Sequence, residues 1–383
     1  MSKPLNVYLV LGEESGDKLA ADLIPALQAQ AQRAGLEVNL SGLAGHQMTQ
    51  KGMTSLFDIK DIAVMGFSAV LARLPMIIRR VYQTVSDIVD AKPDVIILID
   101  SPDFTHAVAK RVRRRMPNVP IINYICPSVW AWRSGRAKKM TAYVDHVLAI
   151  LPFEPKVLKD LGGPDATYIG HPLALQISSS NSPSKSRKTA KTSDKLLVLP
   201  GSRQGEVKRM LKIYGKTLTI LQQRGVQIHP VIPAVPHLKT QLQSLTSDWP
   251  VQPEIVDSAD NMDTFASARA ALATSGTVAL ELALHKVPMI IAYRLDPIGK
   301  MLSGLISTWS AVLPNHILDR VLVPEEHNEM VIPERLARYL ERLLDDSPER
   351  KSQLTGFDEL ATAMKTKQPP AELAAEIILR HVK

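Results

Sequence analysis

Short apolar runs alternate with helical patterns along almost the whole chain, and that alternation leaves few folds open. In the first half the runs are Val7–Leu11, Val38–Gly42, Val95–Ile99, Ile121–Ile125 and Val147–Leu151, with helical patterns such as Asp17–Gln32 and Met76–Val89 between them. The second half restarts with Leu196–Leu199, Ile228–Ile232, Glu254–Val256, Ala270–Thr274 and Met289–Tyr293. Strand, helix, strand in this order is the signature of parallel-sheet α/β units. The polar tract Ser178–Ser193 has almost nothing apolar to bury, so it reads as a flexible excursion at a domain boundary. The expected fold class is α/β, with two Rossmann-like doubly wound parallel-sheet domains facing a cleft of strand C-termini where ligands bind. The expected bounds are an N-terminal domain over 1–175, a linker over 176–194 and a C-terminal domain over 195–365. A last helix, Ala371–His381 within 366–383, is free to cross back onto the first domain.

At 383 residues each domain can bury its own core. The single cysteine, Cys126, rules out an intrachain disulfide; it reads either as a nucleophile or, as its apolar run Ile121–Cys126 favours, as a buried structural thiol. The chain opens on a strand-like run without a basic-then-apolar leader, and it nowhere has 18 consecutive apolar residues. The net charge of +8 needs a partner. Nucleic acid is not the one expected, because aromatics are only 5% and no basic segment is interleaved with them. An anionic membrane surface or phosphorylated small substrates fit better.

Four clusters fall where strands run into helices. The run Leu196–Leu199 stops in Pro200-Gly-Ser-Arg203, and Val207, Met210, Leu211, Tyr214 and Leu218 then form a helical stripe. A helix start leaves backbone N–H groups unpaired, its dipole adds positive charge, and a guanidinium grips two phosphate oxygens at once. Gly201, Ser202 and Arg203 therefore suit a diphosphate, the alternative being an ordinary βα turn with a solvated arginine. Ser275, Gly276 and Thr277 form a second such turn, with Glu281 placed to accept the two hydroxyls of a ribose. The alternative there is a helix cap with Glu281 in a surface pair. Asp100 ends the strand Val95–Ile99, where partial desolvation suits a general base, and Asp103 reads as the cap of the next helix. The spacing of the two acids invites a metal, but no third ligand is near, so no metal is expected. Ser15, Gly16 and Asp17 close the first strand, either for a second anionic substrate or as an N-cap. The Gly12–Asp17 turn lacks the G-x-G-x-x-G dinucleotide fingerprint.

A fifth segment, Val64–Arg80, is apolar but carries Arg73, Arg79 and Arg80. It reads either as a face that lies in a lipid interface or as an amphipathic core helix.

Taken together, these clusters resemble the lipid-A-disaccharide synthase family. The matching residues include Gly12-Glu13 with Ser15-Gly16-Asp17, Ala63-Val-Met-Gly66, Asp100 with Pro102-Asp103-Phe104, and Pro127-Ser-Val-Trp-Ala-Trp-Arg133. They continue with Leu151-Pro-Phe-Glu154, Gly170-His171-Pro172, Leu199-Pro-Gly-Ser-Arg203, Ser275-Gly-Thr277 with Glu281, Val287-Pro-Met289 with Tyr293-Arg294, and Leu313-Pro-Asn315. The resemblance implies a glycosyltransferase-B fold and an inverting transfer without metal or other cofactor. The donor it implies is UDP-2,3-diacylglucosamine and the acceptor 2,3-diacylglucosamine 1-phosphate, giving a β-1,6-linked disaccharide 1-phosphate and UDP. It makes Asp100 the base, with Arg203 and Asn315 also needed for activity. It turns the fifth segment into an acyl-chain and membrane face (Phe67, Val70, Leu71, Leu74, Ile77 and Ile78). The implied location is cytoplasmic, peripheral to the inner membrane's cytoplasmic leaflet, with pairing into a homodimer left open. The chain departs from the family pattern at His46, Thr105, Cys126 and after Asn315, which bears on acceptor and acyl-chain selectivity. Two rivals stand beside it. One is a UDP-N-acetylglucosamine 2-epimerase-like enzyme, which needs no acceptor. The other is a non-catalytic basic lipid- or nucleic-acid-binding protein, which leaves Asp100 and the two anion turns unexplained.

Overall fold

The computed structural model describes residues 4–63, 67–180, 194–258, 261–274, 276–302, 304 and 307–382. Two units divide the chain: Met1–Pro172 with Thr366–Lys383, and Leu173–Lys365.

The first unit is a six-stranded parallel sheet of β1 (Leu5–Leu11), β2 (Val38–Gly42), β3 (Val95–Ile99), β4 (Ile121–Tyr124), β5 (His146–Ala149) and β6 (Ala166–Tyr168). The order across it is β2-β1-β3-β4-β5-β6. All five residues of β3 are buried, because helices on both faces exclude water from every side chain of a central parallel strand. The helices are α1 (Glu14–Arg33), α2 (His46–Gln50), α3 (Phe67–Ala91), α4 (Pro102–Arg115), α5 (Gly135–Met140) and α6 (Glu154–Asp160). α7 (Pro172–Ser180) leads onward.

The second unit is a six-stranded parallel sheet of β7 (Lys195–Leu199), β8 (His229–Ala234), β9 (Glu254–Asp257), β10 (Ala270–Ala273), β11 (Met289–Tyr293) and β12 (Glu325–His327). Their order is β12-β11-β10-β7-β8-β9. Its helices include α8 (Gln204–Gln223), α9 (Lys239–Thr246), α10 (Asn261–Ala266), α11 (Val278–Leu284), α12 (Pro297–Leu302), α13 (Leu313–Leu318), α14 (Pro333–Leu344) and α15 (Pro348–Ala363). Val207, Met210, Leu211, Tyr214 and Leu218 of α8 are buried together in the second core. The final helix, α16 (Pro370–His381), belongs to the first unit. It buries Ala374, Ala375, Ile377 and Ile378 in that core, and the Gln30 side-chain amide of α1 donates to Glu372 O at 2.7 Å.

In each sheet the strand order reverses once, between β1 and β3 in the first and between β7 and β10 in the second. At such a reversal neighbouring loops leave in opposite directions and open a crevice above the strand C-termini. The edge strands β6 and β12 have no counterpart among the apolar runs. Each has three residues, Ala-Thr-Tyr and Glu-Glu-His, which are only partly buried apart from Glu326, so hydrophobicity does not mark them. α3 starts at Phe67 rather than Met76 and carries Pro75 inside it, in a stretch, 72–76, that is exposed throughout. From residue 181 to 193 the polar tract lies outside the described residues.

Candidate active site

The reversal in the first sheet brings Asp100 to Ser15. β1 and β3 pair with Leu11 opposite Ile99, so the two strands end side by side. The Ser15 hydroxyl donates to Asp100 Oδ2 at 2.9 Å, the Ser101 N–H donates to Asp100 Oδ1 at 2.8 Å, and the Ser101 hydroxyl donates to Glu13 Oε1 at 3.0 Å. Asp100 and Ser101 both hold left-handed backbone, at φ 56° and 43°. Consecutive residues rarely adopt this conformation, and it persists only where surroundings enforce it. Thr105 does so by donating its hydroxyl to both the Asp100 and Ser101 carbonyls, at 3.0 and 3.1 Å. Gly12 is required opposite them, since a Cβ there would stand 2.6 Å from Ser101 Cβ. The result is a half-buried carboxylate held by two donors on a strained turn.

The reversal in the second sheet holds a cavity of about 430 Å3, lined by Pro200–Arg203, Glu206, Thr274, Gly276 and Thr277 among others. Thr274 N–H donates to Leu199 O at 2.8 Å and locks the two strand ends together, while the buried Tyr214 hydroxyl of α8 lies 3.1 Å from Thr274 Oγ1. Arg203 is the exposed N-cap residue of α8 and makes no side-chain capping bond. Gly201 has φ 101°, and a Cβ there would meet Glu206 Oε2 at 2.0 Å. Glu206 reaches back to accept the Ser202 N–H at 3.3 Å. Glu206 is absent from the residues that the sequence marks as candidates; a glutamate three residues after an N-cap signals a bond back to the N-cap N–H, and here it reaches one residue further, to Ser202. Gly276 and Thr277 are exposed in the lining, whereas Ser275 lies outside the described residues. Glu281 sits one helical turn further along, half-buried, with its carboxyl held above the ordinary value by burial and in no ion pair among the described residues.

Several assignments change. The Asp17 carboxylate is buried and spent on the chain, accepting the N–H groups of Gly45 (2.8 Å), Gln47 (2.7 Å) and Met48 (3.3 Å) at the start of α2. It therefore shapes the wall of the turn rather than meeting a ligand. Asn315 is fully buried and its amide is saturated. Nδ2 donates to Ser310 Oγ and Val323 O, and Oδ1 accepts from the Leu322 and Val323 N–H groups. No bonding capacity is left for a substrate, and the amide instead ties Ser310 to the Leu322–Val323 segment. Asp103 is inside α4 rather than its N-cap, which is Ser101, and it pairs with Arg133 and Arg136. In α3, Ile77 packs against the first core while Leu74 and Ile78 are exposed. Arg80 is also turned away from any lipid, paired with Asp61 and stacked on Phe57 at 4.5 Å. The side chains of Phe67, Val70 and Leu71 lie outside the described residues. Gly16 is buried, and a Cβ there would press on Ile99 O at 3.3 Å.

A buried acid beyond these clusters is Glu154, at the start of α6 and only 2% exposed. Burial pushes its carboxyl up to about 8, while the Leu151 N–H, which donates to Oε2 at 3.1 Å, pulls it down. The folded chain thus keeps a proton that the unfolded chain loses near 4.5, so stability falls as pH rises through that window and levels off above about 8. The expected result is that Glu154→Gln removes this loss. The wild-type melting temperature, measured by calorimetry, should fall relative to the variant between pH 4.5 and 8. Parallel curves would mean the acid is ionised throughout.

Among the described residues no helix is long and apolar enough to cross a membrane. The family profile described as lipid-A-disaccharide synthetase matches residues 7–378. The lipid-A-disaccharide synthase of Nitrobacter winogradskyi is 45% identical over 377 residues, 97% of this chain and 94% of that one. The enzyme of the same name from Rhodopseudomonas palustris strain HaA2 is 44% identical over 380 residues, 97% of this chain and 95% of that one. Among solved structures, Acinetobacter baumannii MurG superposes with a TM-score of 0.60 at 12% identity, covering 99% of this chain and 100% of that one. The UDP-GlcNAc 2-epimerase of Neisseria meningitidis, bound to UDP-GlcNAc, gives 0.57 at 13% identity, covering 98% and 99%. These two share the fold. The sequence match over nearly the full length goes further: this chain belongs to the lipid-A-disaccharide synthase family and is a glycosyltransferase of the glycosyltransferase-B fold.

Proposed function

We propose that the chain transfers 2,3-diacylglucosamine from its UDP conjugate to 2,3-diacylglucosamine 1-phosphate, forming a β-1,6 bond and releasing UDP. The observation that carries this reading is that the reversal of each sheet is furnished for one half of the reaction: an oriented carboxylate in the first unit, an anion cavity in the second. In the second unit the donor diphosphate lies against Arg203 and the N–H groups of the Gly201–Arg203 and Gly276–Thr277 turns, and Glu281 accepts the ribose hydroxyls. Glu206 accepts the Ser202 N–H, so a phosphate that takes this N–H displaces that carboxylate. In the first unit Asp100 takes the proton of the acceptor 6-hydroxyl. The oxygen then bonds to the donor anomeric carbon from the face opposite UDP, the bond to the diphosphate breaks with its electron pair on oxygen, and the configuration inverts. Arg203 stabilises the charge that grows on that leaving group.

The exposed Leu74 and Ile78 of α3, with Arg73 and Arg79, form the face that meets acyl chains at the cytoplasmic leaflet of the inner membrane. The test is UDP release assayed with each lipid substrate alone and with both. Release that needs both substrates is expected. Conversion of the donor alone would instead favour the epimerase-like reading.

A further inference from the structure

Beside the Asp100 turn, α4 and α5 flank a second cavity, open to solvent and of about 520 Å3. Five cationic side chains line it: Lys110 and Arg111 from α4, Arg133 just before α5, and Arg136 and Lys139 from α5. The single carboxylate among them, Asp103, is already shared by Arg133, at 3.3 Å, and Arg136. No ion pair to Lys110, Arg111 or Lys139 occurs among the described residues. The Tyr143 ring lies 5.1 Å from Lys110 Nζ and the Trp132 ring 4.1 Å from the Arg133 guanidinium, which places these cations without neutralising them. Arg133 is held there on left-handed backbone at φ 53°. At the floor, His106 is buried and bonded to Asn123, and its imidazole is pushed down to about 4 by burial, with the Arg136 and Lys110 charges adding to the effect. Five like charges gathered around one shared carboxylate repel one another until an anion sits among them.

The position of the cavity narrows the choice of anion. β3 and β4 are neighbours, so the loops that follow them leave from one edge of the sheet, and α4 begins two residues past Asp100. An acceptor with its 6-hydroxyl at Asp100 carries its phosphate across the same sugar ring. We infer that the α4–α5 cavity binds the phosphate monoester of the acceptor, with Arg136 and Lys139 as its main contacts and Arg133 closing the clamp. This inference rests on the proposed role of Asp100. It makes the cavity the element by which the enzyme selects a phosphorylated acceptor.

The experiment compares kcat/KM for the acceptor and for the same lipid without its phosphate, in wild type, Arg136→Gln and Lys139→Glu. Each variant is expected to cut the preference for the phosphorylated acceptor by about tenfold or more, with the KM for the donor unchanged. Lys139 is exposed, so its variant keeps the test open if loss of Arg136 impairs folding. Equal loss on both acceptors would overturn the inference. A second arm needs no turnover: glucosamine 1-phosphate should raise the melting temperature of wild type and not of either variant. If no UDP is released with any acceptor but this shift persists, the proposed reaction fails and the phosphate site stands. A third arm uses phosphatidylglycerol vesicles. If the variants lose vesicle binding but keep the response to glucosamine 1-phosphate, the cavity reads lipid headgroups and the inference is wrong.

Discussion

Asp100→Asn is expected to lower turnover by about 10²–10⁴-fold, the usual worth of a positioned general base, while UDP binds with near wild-type affinity. Asparagine isolates the charge. It tolerates the left-handed backbone at φ 56°, which alanine would meet with strain. Its carbonyl can still accept the Ser101 N–H, and the Ser15 hydroxyl can rotate to accept from its amide nitrogen. The melting temperature should therefore stay close to wild type. Steady-state UDP release and calorimetric titration with UDP check the two halves of the statement. A fall in UDP affinity as large as the fall in rate would remove Asp100 from the role of base.

Arg203→Ala should cost about 2.7–4 kcal/mol at the chemical step, or 10²–10³ in kcat, as loss of one preorganised donor to a developing anion does elsewhere. The side chain is exposed at the N-cap of α8 and makes no capping bond there, so its removal leaves the helix start intact. The loss should appear in kcat with little change in KM for the acceptor. An active variant with unchanged kcat would mean that the leaving phosphates are held elsewhere.

The parallel sheets were legible in the sequence because buried central strands such as Val95–Ile99 and Leu196–Leu199 are unbroken apolar runs that stop abruptly. The partly buried edge strands Ala166–Tyr168 and Glu325–His327 were not, since their alignment comes from pairing with a neighbour rather than from their own composition. The candidate turns were legible for the same reason as the central strands, because each one begins where such a run ends. The contacts their side chains make were harder to read. Ser15 reaches Asp100 and Ser101 reaches Glu13 only because β1 and β3 pair in register, and the partners lie 85 and 88 residues apart. Asp17 looked like a ligand contact beside Ser15, yet its carboxylate is consumed by backbone 28 to 31 residues away. Asn315 presents the same difficulty: an isolated asparagine gives no sign that a returning loop will saturate its amide. The five cations of the α4–α5 cavity are dispersed between Lys110 and Lys139 and come together only through the sheet order.

A crystal structure of the protein with UDP bound tests this mechanism at its centre. The diphosphate is expected against Arg203 and the Gly201–Arg203 turn, with Glu206 displaced from the Ser202 N–H and the ribose hydroxyls on Glu281. UDP bound away from Arg203 and Glu281, with Glu206 still on Ser202, would contradict it.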